Sequence, residues 1–412
     1  MDGGCRALST TATVEDLLRR LAPQVVGVLA RRSGDFTTAE DAVQEALLAA
    51  HTTWLRDGIP DAPRAWLLTT ASRRLVDAQR SDAARRRRER EWVAAEPSDT
   101  TVVQHDDTLA VLLLCCHHVL TPASAVALTL RAVGGLTTAE VAAAYAVPES
   151  TMATRISRAK RQVRDSGEPF ALPAPERVHE RVAQVLTVLY LVYNEGYVAT
   201  SGPHLTRTDL SAEAIRLARL AQRLLPAERE ATALLALLLL LDARRPARLT
   251  TSGEVVPLSE QDRSLWDRAL IAEGTALLGS TLGDGPPGTY QVQAAIAAVH
   301  DRAPRAQDTD WPQVVGLYSV LEEIAPSPFV TLAKAVALAE ADGPDAAAPL
   351  VDDVAARLGE HHRVDAVRGH LAELRGDRAS ARRHYLDAAR LTTNLAERHH
   401  LTTRAAGLAG AG

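Results

Sequence analysis

The chain has 412 residues, a formal net charge of −5, 46% apolar and 24% charged residues, and three cysteines. At roughly 100 to 200 residues per domain the length leaves room for two to four folded domains, and the balance excludes wholesale disorder, collagen and coiled-coil arrays. The longest greasy run, Ala231 to Leu241, falls short of the roughly 18 to 20 apolar residues that cross a bilayer, and no signal peptide or disulfide framework is legible, so a reducing cytoplasm without membrane contact is expected.

Aromatic residues are only 4%, while Ala, Leu and Arg dominate, a mixture that reads as all-α. Leu17 to Ala30 forms an amphipathic pattern, and Thr37-Thr38-Ala39-Glu40 offers a capping box for a second helix. On that helix Ala39, Ala42, Val43, Ala46, Leu47 and Ala50 make the buried stripe, leaving Glu40, Asp41, Gln44 and Glu45 outward. A turn-rich loop from Arg56 to Pro63 precedes a third helix starting near Arg64, which buries Leu68, Ala71, Leu75 and Ala78. Trp66, Arg73, Arg74, Asp77 and Arg80 cannot all share that stripe.

Periodicity fades over 91–108 around Glu96-Pro97-Ser98-Asp99-Thr100, which reads as a linker closing a first domain at 10–90. A second helical unit occupies 109–166, a proline-punctuated linker 167–176, and an array of amphipathic helices 177–412. Within the array Gly369, Gly376, Ala381, Tyr385 and Ala388 have the spacing of a tetratricopeptide helix pair. Ala335, Ala347 and Val351 agree with it 34 residues earlier; Asp342 stands where glycine is wanted, with Gly343 adjacent. A generic helical bundle is the competing reading of so partial a repeat.

Charge is uneven. Arg64 to Arg90 carries nine arginines against three acids, and Glu149 to Arg164 carries five cations against one acid, whereas 177–412 has a balance of −4 and no comparable cluster. A lone basic run is usually a solvated face, but two runs on motif-bearing helices point to nucleic acid. Between Leu136 and Lys160 the pattern is a helix-turn-helix: Thr137-Thr138-Ala139-Glu140 caps a short helix, Ala146-Val147 turns, and Pro148 opens the next helix. There Met152, Ile156, Ala159 and Val163 point to the core, while Ser150, Thr151, Thr154, Arg155 and Arg158 face away. Such a face suits a major groove, because arginine forks onto guanine edges and hydroxyls or a helix N-terminus hold phosphates.

Three motifs in order, Asp41 to Leu47, Ala65-Trp66-Leu67 with Ala71, Arg73, Arg74 and Asp77, and Val147 to Met152, resemble the extracytoplasmic-function group of bacterial RNA polymerase sigma factors. The resemblance implies two small helical sigma domains over about residues 12 to 165. It further implies that Asp41, Gln44 and Glu45 dock on the β′ clamp helices of core RNA polymerase, and that region 4 meets the β flap. Trp66, Arg73, Arg74 and Arg80 would capture the melted minus-ten strand, while Ser150, Thr151, Thr154, Arg155 and Arg158 read the minus-thirty-five element of promoter DNA. Family members often carry Asn where Arg73 or Arg74 stands, which leaves the preferred melted base open. Val188 to Tyr197, Asp242 to Arg248, Gln261 to Asp267 and Asp308 to Pro312 resemble signatures of a tetratricopeptide-like C-terminal extension found in one subgroup, where it is thought to regulate through intramolecular or protein contacts.

Other runs favour plainer readings. Cys115-Cys116-His117-His118 lacks the spaced pairs of a zinc site, so packing is expected and no metal is assigned. Asn194-Glu195-Gly196 reads as a helix C-cap, and His361-His362 and His399-His400 as solvated helix residues. No phosphate-loop, metalloprotease or serine-hydrolase pattern occurs, so neither catalytic residues nor a cofactor are assigned. The alternatives to a sigma factor are a helix-turn-helix repressor or activator with a sensing domain, and a tetratricopeptide scaffold. Neither needs the polymerase-docking face of the Asp41 helix.

Overall fold

The computed structural model describes residues 3–86, 104–145, 147–167, 175–197, 208–251, 254–283 and 285–409. Among them are eighteen α-helices and no strand, only an isolated bridge between Leu249 and Val255. No helix among the described residues is long and apolar enough to cross a membrane. Contacts divide the chain into two units, Met1–Leu191 and Val192–Gly412.

The first unit opens with α1 (Gly3–Ser33), α2 (Phe36–Asp57) and α3 (Pro63–Arg86), where α2 packs against both neighbours. The expected stripe on α2 is buried throughout. Its start differs from the expected Thr37 capping box: Asp35 accepts the Thr37 and Thr38 amides at 2.9 and 3.2 Å, which frees Glu40 to turn inward. Gly58, at φ +87°, ends the helix with its N–H on the Trp54 carbonyl. On α3 the buried positions are Leu67, Ala71 and Leu75, while Leu68 is only half-buried and the Ala78 side chain lies outside the described residues.

Four more helices follow: α4 (Gln104–Cys115), α5 (Pro122–Ala132), α6 (Thr138–Ala144) and α7 (Glu149–Asp165). Helix α4 begins inside the segment expected to be a linker and packs on α1, burying Ala110 to Leu114. Residues 91–103 of that segment lie outside the described residues. Helix α8 (Pro175–Tyr197) contains the division between the units, so the boundary falls past the expected proline-rich linker. Gly196 sits inside its last turn rather than capping it.

The second unit contains α9 (Thr208–Leu224), α10 (Arg229–Ala243), α11 (Arg268–Ser280), α12 (Thr289–Arg302) and α13 (Trp311–Ile324), then α14 (Pro328–Asp342), α15 (Pro344–Leu358), α16 (His362–Leu374), α17 (Arg378–Leu391) and α18 (Leu395–Gly407). The greasy run is the middle of α10, apolar nearly all round because α9, α11 and α12 cover it. The hairpins α14–α15 and α16–α17 repeat at a 34-residue offset: Ala335 with Gly369, Ala347 with Ala381, Val351 with Tyr385 and Val354 with Ala388 are all buried. Gly369 is required by the substitution of Tyr385 for valine, since a Cβ there would lie 2.8 Å from the tyrosine ring. The turn glycines are Gly343 at φ +95° and Gly376 at φ +76°, so the first turn is one position out of register and Asp342 merely ends α14.

Candidate nucleic-acid interface

In the helix-turn-helix, the Thr137 side chain accepts the Glu140 amide at 3.1 Å and the Glu140 carboxylate accepts the Thr137 amide at 2.6 Å. Pro148, at φ −59°, is the N-cap of α7, and no side chain caps that helix. Its first amides therefore point outward with the positive end of the helix dipole, an arrangement that suits a phosphate. Met152, Ile156, Ala159 and Val163 are buried against α5 and α6, which turns Ser150, Thr151, Thr154 and Arg158 to solvent. Arg155 is half-buried. Lys160, counted in the basic run, is buried and belongs to the interior.

On the first three helices, Trp66 is half-buried and meets the buried Trp54 edge-on, with ring centroids 5.6 Å apart. Arg73 and Arg74 are exposed, and Arg74 lies 3.4 Å from Glu45 of α2. Arg80 is on the helix, but its side chain lies outside the described residues. Asp41 and Glu45 are exposed; Glu40 and Gln44 are not, contrary to the expected outward face.

The reason is a contact between α2 and the helix-turn-helix unit. Glu40 is fully buried and pairs with both Lys160 of α7 and Arg131 of α5, the latter at 3.3 Å. Lys160 also donates to Asp41 at 2.6 Å, and the Gln44 amide donates to the Arg131 carbonyl at 2.9 Å. Burial pulls the Lys160 ammonium down, but the Glu40 and Asp41 carboxylates more than offset it, so its pKa rises above the ordinary lysine value. Sequence periodicity missed Glu40, Arg131 and Lys160 as a set. The available signal was compositional: Lys160 is one of two lysines in an arginine-rich chain.

Cys115, Cys116 and His117 of the Cys115 to His118 run are buried. Cys116 Sγ lies 3.5 Å from Thr129 Oγ1, His117 Nδ1 accepts the Val119 amide, and the two imidazoles stack. Burial pushes the Cys116 thiol up to about 12 and raises Cys115 well above the ordinary thiol value. Asp365, His384 and Asp387 do lie close enough to share an ion, but His384 pairs with Asp365 and Asp387 is held by Arg390. Three of the histidines expected on a solvated helix face depart from it: His361 is the N-cap of α16, accepting the Arg363 amide, and His362 and His400 are half-buried.

In the second unit, the segments Asp242 to Arg248, Gln261 to Asp267 and Asp308 to Pro312 converge. The guanidinium groups of Arg244 and Arg263 both approach the Trp266 ring, 5.3 and 4.8 Å from its centroid. Arg244 pairs with Asp301 at 2.7 Å, while Arg263 donates to the His300 and Ala303 carbonyls and to Thr309.

Residues 17–87 match sigma-70 region 2, residues 110–163 match sigma-70 region 4, and residues 181–282 match a family of unknown function (DUF6596). An uncharacterized protein of Rhizobium meliloti (strain 1021) is 38% identical over 399 residues, which cover 95% of this chain and 94% of that protein. Region 2 followed by a region 4 helix-turn-helix defines the class: the chain belongs to the sigma-70 family, factors that direct promoter-specific transcription initiation. Within that family it is an extracytoplasmic-function-type sigma factor with an all-helical C-terminal extension. Sigma factors of this kind bind core RNA polymerase and promoter DNA and are not enzymes.

Proposed function

We propose that α7 reads the minus-thirty-five element through Ser150, Thr151, Thr154, Arg155 and Arg158, and that Trp66, Arg73, Arg74 and Arg80 hold the melted minus-ten strand. Asp41, Gln44 and Glu45 dock on the β′ clamp helices, region 4 meets the β flap, and the C-terminal helices, lacking a basic cluster, regulate through protein contacts in the bacterial cytoplasm. The observation that carries this reading is the division of α7 into a buried apolar side and an uncapped, hydroxyl- and arginine-bearing outer side. That combination supports both phosphate positioning and base reading on one helix.

Docking has a structural condition. Gln44 holds Arg131 and Asp41 holds Lys160, so both are engaged by the chain's own region 4 helices. A polymerase using those side chains has to displace α5 and α7 from α2. Runoff transcription with purified core polymerase tests the assignment: the full chain should start transcripts at defined promoters, and the charge-reversed Asp41→Arg, Glu45→Arg variant should fail while keeping its helical circular dichroism. Retained transcription by the folded variant rejects this docking face.

A further inference from the structure

The C-terminal unit contains an open cavity of about 880 Å³, within the range of small-molecule sites. One wall is apolar and aromatic, built from Trp311, Val314, Tyr318, Ala337 and Leu401. Arg263 and His300, also lining it, are only 6% and 8% exposed. Among the described residues Arg263 Nε and His300 Nδ1 have no hydrogen-bond partner, although the other Arg263 nitrogens are used. Buried polar atoms are ordinarily paired, so two orphans on one cavity wall need an explanation.

Asp301 is paired with Arg244 at 2.7 Å and Asp308 with Arg305 at 2.8 Å, so among the described residues the buried Arg263 feels both carboxylates but forms an ion pair with neither, its bonds going to carbonyl and hydroxyl oxygens. Burial, Arg244 and Arg263 together depress His300 to about 4, so its ring is neutral and sits in a positive field. Arg248 lines the same cavity, donating to the Tyr197 carbonyl and stacking on the Tyr197 ring. The cavity's carboxylates, Glu340 and Glu397, stand beside His370 and His362, and Arg404 is taken by Glu373 and Glu260. The three sequence segments that converge on Trp266 thus place Arg248, Arg263 and Trp311 in the cavity lining.

We propose that this cavity binds a small amphipathic organic anion, its acidic group at Arg263 and His300 and its apolar body against the Trp311 wall. An acidic oxygen there accepts from Arg263 Nε and from Nδ1–H of the neutral His300 ring in that tautomer, which completes both orphans. The site goes beyond the promoter-binding reading and does not depend on it, because binding is measured without polymerase or DNA.

The test uses the full chain with 1-anilinonaphthalene-8-sulfonate as a fluorescent anionic probe, displaced by decanoate and, in parallel, by decanol. Expected is one saturable site, with decanoate displacing at least tenfold better than decanol. Arg263→Met, which keeps the apolar stem, should remove that preference. Ala333→Trp, at a half-buried position on the cavity wall, should abolish probe binding while leaving Arg263 in place, and it decides the matter if the arginine variant does not fold. Equal displacement by decanoate and decanol, or probe binding unchanged in a folded Ala333→Trp protein, overturns the proposal. So does saturable binding of an acidic amphipathic peptide with none of either anion, which would make the cavity a protein-docking site.

Discussion

Arg158 and Arg155 stand three residues apart on α7, yet one is exposed and the other half-buried. Arg158→Ala should therefore cost binding and little else, whereas Arg155→Ala should also lose packing of its aliphatic stem. If either reads a base, its loss costs about 1–3 kcal/mol of discrimination; a phosphate contact weakens all sequences alike. Promoter binding at fixed salt on matched and mismatched elements, with thermal melting alongside, distinguishes them, and unchanged affinity in both variants sinks the face. Gly369 offers a second residue-scale measurement. Gly369→Val places a branched side chain where even a Cβ lies 2.8 Å from the Tyr385 ring, and overpacking of this kind costs about 1–3 kcal/mol in denaturant unfolding. Apolar positions such as Met152, Ile156 and Val163 were legible from period alone because burial of one helix stripe is a local rule. Glu40 was not, because its partners Arg131 and Lys160 lie far away in sequence and turn an outward-reading carboxylate into an interior one.

At the scale of elements, the α2–α7 contact is held by charges that no apolar pattern announces. Lys160→Met leaves Glu40 buried with Arg131 as its remaining partner, and breaking a buried pair costs about 3–5 kcal/mol, so a value near the lower end is expected. Replacing Glu40 by Leu as well should recover much of that loss, since apolar replacements of a buried pair are often neutral. Distance measurements between labels on α2 and α7, together with unfolding of the single and double variants, give the coupling directly. The same pair fixes a pH response. Because the folded Lys160 pKa is raised, its stabilisation is fully present below the ordinary lysine value of 10.5 and disappears as pH rises through the higher folded value. Separation of α2 from α7 should therefore grow in the alkaline range and stay flat between pH 6 and 9; a change at neutral pH would assign the contact to other groups. The helix-turn-helix was legible in the sequence because the Thr137–Glu140 cap and Pro148 act within a few residues of one another. The α2 start was misplaced because Asp35, just upstream, competes for the same amides.

For the whole molecule, the sequence placed a break at the prolines near residue 175, whereas the contacts pass through α8 and divide at Leu191. Prolines mark where a helix can start, but helix contacts decide to which unit it belongs. Val182, Val185, Leu186 and Leu189 are buried on the segment before that division. Removing them with the C-terminal helices would expose apolar surface in the sigma portion, at roughly 1.5–3 kcal/mol per large side chain. Truncation at residue 174 should thus lower the melting temperature of the remaining protein, while truncation after residue 191 should leave it closer to its own folded limit. The comparison separates stability from regulation. If the C-terminal helices regulate initiation, the chain ending at 191 should bind core polymerase and promoter but differ from the full chain in transcription as conditions vary. A regulator on the same chain acts at high effective concentration, so adding residues 192–412 as a separate protein should restore the difference only at concentrations far above that of the factor. Identical transcription by the 191-residue and full-length proteins across those conditions would assign the C-terminal helices a role outside initiation.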